Sequence, residues 1–274
     1  MDWRVRNTRV LILTDQPRRF QQLADQLRLL SGPALQLAWG SCRKKQLWLR
    51  IQGQIVQAQP PSVVLRKRAD LAVVIPPLDQ MSWWLKALHR RRITVIRCLP
   101  PLATLSAPVC SDSPHQLLLS PEAAILFFAL EGLAARDLDR LEVTLPGTCA
   151  KKLSDGLFQQ LENRFAPCEI AFDDGIVFTS DPLIIMRLKL TLRKGWDRDQ
   201  LTAALQRADH ALVIDSHPLS RDCREGKKET RVLIDQIQSG NNEKEWMLRL
   251  TSDRERCGWI SAAAQQICAW LSAH

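Results

Sequence analysis

At 274 residues, 46% of them hydrophobic, the chain is long enough for one large or two ordinary domains. It has no apolar run of the roughly 18 residues a membrane helix needs, and residues 1 to 15 carry too short an apolar stretch for a signal peptide. Eight scattered cysteines with no Cys-x-x-Cys pair, in a chain of net charge +9, imply a reduced, basic, cytoplasmic protein without membrane contact, disulfide framework or metal site.

The pattern then unfolds in chain order. RVLILTD, 9 to 15, reads as a buried strand. In residues 17 to 30, Phe20, Leu23, Leu27 and Leu30 recur at helical spacing, and Ser31-Gly32-Pro33 ends that helix. Residues 46 to 59 alternate around Gln52-Gly53, the signature of a hairpin. DLAVVIP (70 to 76) and ITVIRC (93 to 98) are buried strands on either side of a helix near 79 to 90. Short apolar strands alternating with helices predict a parallel sheet covered on both faces.

After a loop at 100 to 114 the pattern changes. LLLSPEAAILFFALEGLAARD, 117 to 137, announces a helix from 121 to 135. Ser120 suits the cap, Pro121 the first position, and Glu122 the first turn, where its charge complements the helix dipole. A strand at 141 to 145 and a helix near 150 to 163 follow. Longer alternating segments come next, at 183 to 194, 210 to 215, 230 to 237 and 245 to 252, interrupted by a helix at 197 to 208. Strands of period two predict an antiparallel sheet with one wet face. A helix at 258 to 273 closes the chain. The fold class is therefore α/β: a Rossmann-like parallel-sheet domain over 1–116, joined to an α+β domain with a mainly antiparallel sheet over 117–257. Helix 258–273 is expected to pack back on the first domain.

The last third carries a family pattern. A strand ending in Asp235 follows Ser220-Arg221-Asp222. Next come EWMLRLTSD, a Cys257-Gly258-Trp259 turn and a final helix. FQQLENRF (158 to 165), IAF (170 to 172) and the upstream hairpin and strands fall in matching order. The chain thereby resembles the phosphorylating glyceraldehyde-3-phosphate dehydrogenase family, closest to its erythrose-4-phosphate dehydrogenase branch. The resemblance implies an NAD-dependent enzyme that attacks an aldehyde with a cysteine thiolate at a helix N-terminus.

Residue by residue, this chain departs from what the resemblance implies. Glu122 stands at the nucleophile position, Gly147 at that of the general-base histidine, and Asp173, followed by Asp174, at that of a phosphate-binding arginine. The glycine-rich turn that would cradle a dinucleotide reads Thr14-Asp15-Gln16-Pro17-Arg18-Arg19-Phe20, with Thr14, Gln16 and Arg19 at matching positions. Arg254 stands where an asparagine would hold the nicotinamide amide. The expected function is accordingly a catalytically inactive, dehydrogenase-like pseudoenzyme, serving as a binding or regulatory subunit with no cofactor and a catalytic dehydrogenase paralogue or another protein as its partner. Alternatives are an active NAD-dependent aldehyde or sugar-phosphate dehydrogenase with an atypical site, a ligand sensor, and a basic nucleic-acid-associated protein. The last rests on the clusters Arg43-Lys44-Lys45, Arg66-Lys67-Arg68, Arg90-Arg91-Arg92, Lys151-Lys152 and Lys227-Lys228. Cys149, His115 and Asp215-Ser216-His217 are weaker candidates for reactive groups. Each is expected to be a structural or loop residue.

Overall fold

The computed structural model describes residues 8–31, 35–42, 47–51, 54–76, 78–99, 116–146, 165–175, 183–214 and 231–273. These form two compact units. The first holds the described residues up to Leu99, Gln116–Leu119 and those from Trp259 onward; the second holds the described residues from Ser120 to Gly258.

The first unit is built on a five-stranded, all-parallel sheet. Strands β1 (Arg9–Leu13), β2 (Gln36–Gly40), β5 (Leu71–Val74), β6 (Thr94–Cys98) and β7 (Gln116–Leu119) lie in the order β2-β1-β5-β6-β7. Sheet growth reverses at β1, the topological switch point where folds of this kind place their ligand crevice. Buried side chains leave both faces of β1: Leu11 and Leu13 join a cluster with Val64, Val74, Trp84 and Leu88, while Val10 and Ile12 face the other way. Helices α1 (Pro17–Ser31), α2 (Pro61–Val64) and α3 (Met81–Arg90) lie among these strands, and a separate hairpin pairs β3 (Trp48–Ile51) with β4 (Gln54–Gln57). Helix α6 (Ala262–Ala273) packs against α1, where Gln26 Nε2 donates to Ser261 Oγ at 3.1 Å.

The second unit carries a six-stranded mixed sheet. Its strands are β8 (Leu138–Pro146), β9 (Glu169–Gly175), β10 (Leu183–Leu192), β11 (Ala211–Val213), β12 (Val232–Ser239) and β13 (Glu245–Asp253), in the order β11-β12-β13-β10-β8-β9. The three central pairings are antiparallel and the two edge pairings parallel. Helix α4 (Pro121–Leu130) is buried nearly all round, as its uniformly apolar sequence requires, and packs on β11 and β12. Helix α5 (Arg198–Leu205) begins with a capping box in which Asp197 and Gln200 bond reciprocally.

The α/β class stands, with the parallel first sheet and the mainly antiparallel second sheet as expected. Several elements differ from the sequence expectation, the short helix α2 and strand β9 among them. β2 and β7 carry no sequence assignment above. β2 is an edge strand in which only Trp39 and Gly40 are buried, so its alternation is faint. β7 runs into the cap of α4, and its apolar residues read as the approach to that helix. Helix α4 also stops at Leu130 rather than 135. Gly132, just beyond that end, approaches α5 so closely that a Cβ there would lie 2.0 Å from the Ala204 carbonyl oxygen. The helix expected near 150 to 163 lies outside the described residues.

Candidate functional site

The sequence expectations converge on two places, one in each unit. In the first, the β1–α1 turn closes on itself. Thr14 and Asp15 are essentially inaccessible to solvent. The Asp15 carboxylate accepts the Ser41 hydroxyl hydrogen bond, and its second oxygen accepts the Asp79 N–H at 2.6 Å. The Thr14 carbonyl accepts from Trp39 Nε1 at 2.9 Å, and Thr14 Oγ1 from the Gln16 N–H at 3.2 Å. The Trp39 indole stacks flat on Phe20, ring centroids 4.8 Å apart. Thr14 N–H is bonded to the Gly40 carbonyl, and the N–H groups of Arg19 and Phe20 to Gln16. Pro17 has no N–H to offer.

Arg19 leaves this turn sideways. Its guanidinium lies 4.6 Å from the centre of the Trp259 ring and donates to the Pro76 carbonyl, while Trp259 Nε1 donates to the Leu99 carbonyl at 2.8 Å. Cys98 is wholly buried nearby, and burial pushes its thiol up to about 12, offset in part by Arg19. Cys42 Sγ accepts from Trp84 Nε1 at 3.0 Å; burial raises its thiol as well. Neither thiol carries thiolate character at neutral pH.

In the second unit, Ser120 caps α4 as read, its Oγ accepting the Ala123 N–H at 3.4 Å. The same hydroxyl donates to the Glu122 carboxylate at 2.9 Å, and Glu122 is 3% exposed. The first turn of α4 meets the π-helical segment Arg254–Ser261, because a Cβ on Gly258 would lie 2.6 Å from Pro121 Cβ. That segment is capped by Asp253, whose Oδ1 accepts the N–H groups of Glu255 and Arg256, both at 2.9 Å. Burial raises the Asp253 carboxyl above its ordinary value despite these bonds. Arg254 is buried.

The structure therefore brings Thr14, Gln16 and Arg19 together in one turn. Glu122 sits in the α4 turn that meets the segment opened by Arg254. Asp173 lies on edge strand β9, opposite Thr144 of β8. Gly147, Cys149, His115 and Asp215-Ser216-His217 lie outside the described residues. Sequence reasoning missed Asp15, Ser41, Asp79 and Trp259 as parts of the first site. Asp15 alone gave a signal, a carboxylate directly after a buried strand. Among the described residues, no group of three or more His, Cys, Asp and Glu is placed to hold a metal, and no helix is long and apolar enough to cross a membrane.

A parallel nucleotide-type sheet in one unit and a mixed sheet with a buried helix in the other define the two-domain dehydrogenase fold. Solved structures that share it are aspartate-semialdehyde dehydrogenases, a dehydrogenase family related to the one suggested by the sequence motifs. The chain is similar to aspartate semialdehyde dehydrogenase II from Vibrio cholerae, in a complex with ASA, at 13% identity and a TM-score of 0.70, covering 97% of this chain and 98% of that one. It is also similar to a probable aspartate-semialdehyde dehydrogenase from Pseudomonas aeruginosa (13% identity, TM-score 0.64, 97% and 99% covered). The enzyme from Francisella tularensis matches at 10% identity, TM-score 0.61, over 95% and 99%. No family model and no curated protein sequence matches the chain.

Proposed function

We propose that this chain is a dehydrogenase-fold pseudoenzyme that acts as a binding or regulatory subunit, without dinucleotide or thiolate chemistry. The observation that carries this reading is the filled turn after β1. A pyrophosphate bound there in the manner of the fold would face the Asp15 carboxylate, already held by Ser41 and the Asp79 N–H. It would find Pro17 where a donor is needed. The residues present do not fit a dinucleotide, and no step is derived through one. Glu122 at the head of α4 supports the same reading, since a hydrogen-bonded carboxylate is no substitute for a thiolate.

The ancestry is the wider group of aldehyde-oxidising dehydrogenases. Assignment to the glyceraldehyde-3-phosphate or erythrose-4-phosphate branch rests on motif order in the last third. The partner in this proposal is a catalytic paralogue, and the compartment is the cytoplasm, consistent with the free cysteines. The fold shared with a solved enzyme in complex with ASA favours one competing reading, an active aldehyde dehydrogenase with an atypical site.

Thermal unfolding with NAD and NADP, paired with an aldehyde-oxidation assay, separates the two. A ligand at 100 times its Kd stabilises by about 2.7 kcal/mol, an easily read shift. The proposal expects no shift and no turnover. Saturable stabilisation by either nucleotide, or turnover abolished by a single cysteine substitution, refutes it.

A further inference from the structure

Two of the basic triplets in the sequence, Arg66-Lys67-Arg68 and Arg90-Arg91-Arg92, are separated by most of β5 and α3. The fold brings them to one surface, at the amino-terminal edge of the first sheet. That edge lies a strand's length, about 16 Å, from the β1–α1 turn. Arg66, Arg68, Arg91 and Arg92 line a depression of about 460 Å³ with Asp70 and Trp270. Arg66 also lines a second depression of about 610 Å³, together with Arg9, Lys67, Gln36, Gln57 and Gln59. The two depressions meet at Arg66, and both lie within the first unit.

Two of their cations brace the backbone beneath the others. Arg91 Nη1 donates to the Leu65 carbonyl at 2.6 Å, and the Arg9 guanidinium donates to the carbonyls of Val64 and Arg68, both at 3.4 Å. The 64–68 turn is thus fixed from below. Arg66, Arg68 and Arg92 make no side-chain hydrogen bond or ion pair among the described residues. Arg92 has a φ of 55°, a left-handed backbone for which glycine or asparagine is the unstrained choice. Among the described residues, Asp70 is the only carboxylate lining either depression, and it already accepts the Arg9 N–H at 2.9 Å.

The hairpin adds a different chemistry. Gln57 and Ile55 line the groove, and their cross-strand partners are Trp48 and Arg50. Directly paired residues point to the same face of a hairpin. Trp48 is 66% exposed and Ile55 72% exposed. Fork-shaped cations, carboxamides and an open indole on one surface are the groups that hold phosphates, read base edges and stack bases.

We propose that this groove binds single-stranded nucleic acid, its phosphodiester backbone on Arg66, Arg68 and Arg92 and a base on Trp48. The proposal is independent of the pseudoenzyme reading, because it uses none of the residues of the β1–α1 turn or of α4.

The test is fluorescence anisotropy with labelled oligo-dT and oligo-rU of about 20 nucleotides, across a salt series. With about three phosphate contacts, log Kd should change with log salt by a slope of about 2. Arg66→Glu/Arg68→Glu should weaken binding at least tenfold and flatten that slope. Trp48→Ala should weaken it roughly fivefold and remove the tryptophan quench. The exposed Arg207→Glu, on the other unit, should change nothing. All four positions are on the surface, so circular dichroism should be unaltered. The proposal is overturned by absence of binding at low salt, or by binding that both groove variants leave intact. It is also overturned if polyglutamate binds equally well and Trp48→Ala has no effect, the signature of an acidic protein partner.

Discussion

Removing the Asp15 carboxylate is the sharpest perturbation of the filled turn. The side chain is 1% exposed and anchors Ser41 from β2 and the Asp79 N–H from the turn before α3. Hydrogen bonds to a charged group are each worth about 1.5–3 kcal/mol. Against this, alanine relieves the desolvation of a buried charge, a cost of several kcal/mol. Alanine also leaves the Asp79 N–H without its acceptor, which decides the sign. Asp15→Ala should therefore destabilise the first unit by about 2 kcal/mol. Asp15→Asn keeps an acceptor for the Asp79 N–H and offers an amide to the Ser41 hydroxyl, so it should cost about 1 kcal/mol or less. Urea unfolding followed by tryptophan fluorescence measures both. If the two variants lie within about 0.5 kcal/mol of the parent chain, Asp15 is not a fixed part of the native network. The turn would then be open to a ligand, and the reasoning fails.

Three further outcomes are expected. Asp235 and Arg249 form a bidentate pair across β12 and β13, both nearly buried. Asp235→Asn should cost about 3–5 kcal/mol in urea unfolding, whereas replacing both by leucine and methionine should cost far less; equal losses would show that the pair is not desolvated. Gly132→Ala, whose Cβ would meet the Ala204 carbonyl at 2.0 Å, should cost about 1–3 kcal/mol, and a neutral result would mean that Gly132 does not approach α5 so closely. The folded chain holds the Cys98 proton up to about 12, whereas an unfolded thiol releases it near 9.0. The folded state thus binds more protons across that window, and stability should fall as pH rises through it, by at most about 1.4 kcal/mol per unit. Cys98→Ala should flatten this slope, and iodoacetamide should leave native Cys98 unlabelled at pH 8; labelling would refute its burial.

Much of the fold was legible because its strongest signals are local. RVLIL, LAVV and TVIRC are buried on both sheet faces and read as continuous apolar runs. The hairpin announced itself by alternation around Gln52-Gly53, and α4 by Ser120 and Pro121. Edge strands β2 and β7 were hidden, since each has a neighbour on one side only and keeps a diluted pattern. The candidate site was half legible. Thr14, Gln16 and Arg19 could be placed in one turn from their spacing after β1. That Asp15 would be answered by Ser41 and Asp79 depends on parallel pairing across residues far apart in sequence, which no local pattern encodes. The basic triplets were visible as charge, but their convergence follows from the order of β5 and β6 in the sheet.

On the proposed reading, the two sites share one physical device. A dehydrogenase fold offers an anion two favourable places, the turn after the first strand and the amino end of the helix that opens the second unit. Here each holds a buried carboxylate of the chain's own, Asp15 in one and Glu122 in the other. Each is hydrogen-bonded by a serine hydroxyl, from Ser41 and Ser120 respectively. A fold whose helix dipoles and crevice donors are satisfied internally draws no stability from a bound ligand. Its native state should then be as stable in nucleotide-free buffer as with nucleotide added, which is the opposite of what a cofactor-dependent enzyme requires. A substitution that merely places glycine at Thr14 or cysteine at Glu122 would leave the neighbouring polar partners unmatched. Recovering dinucleotide binding would require Asp15, Pro17 and the Trp39–Phe20 stack to change together.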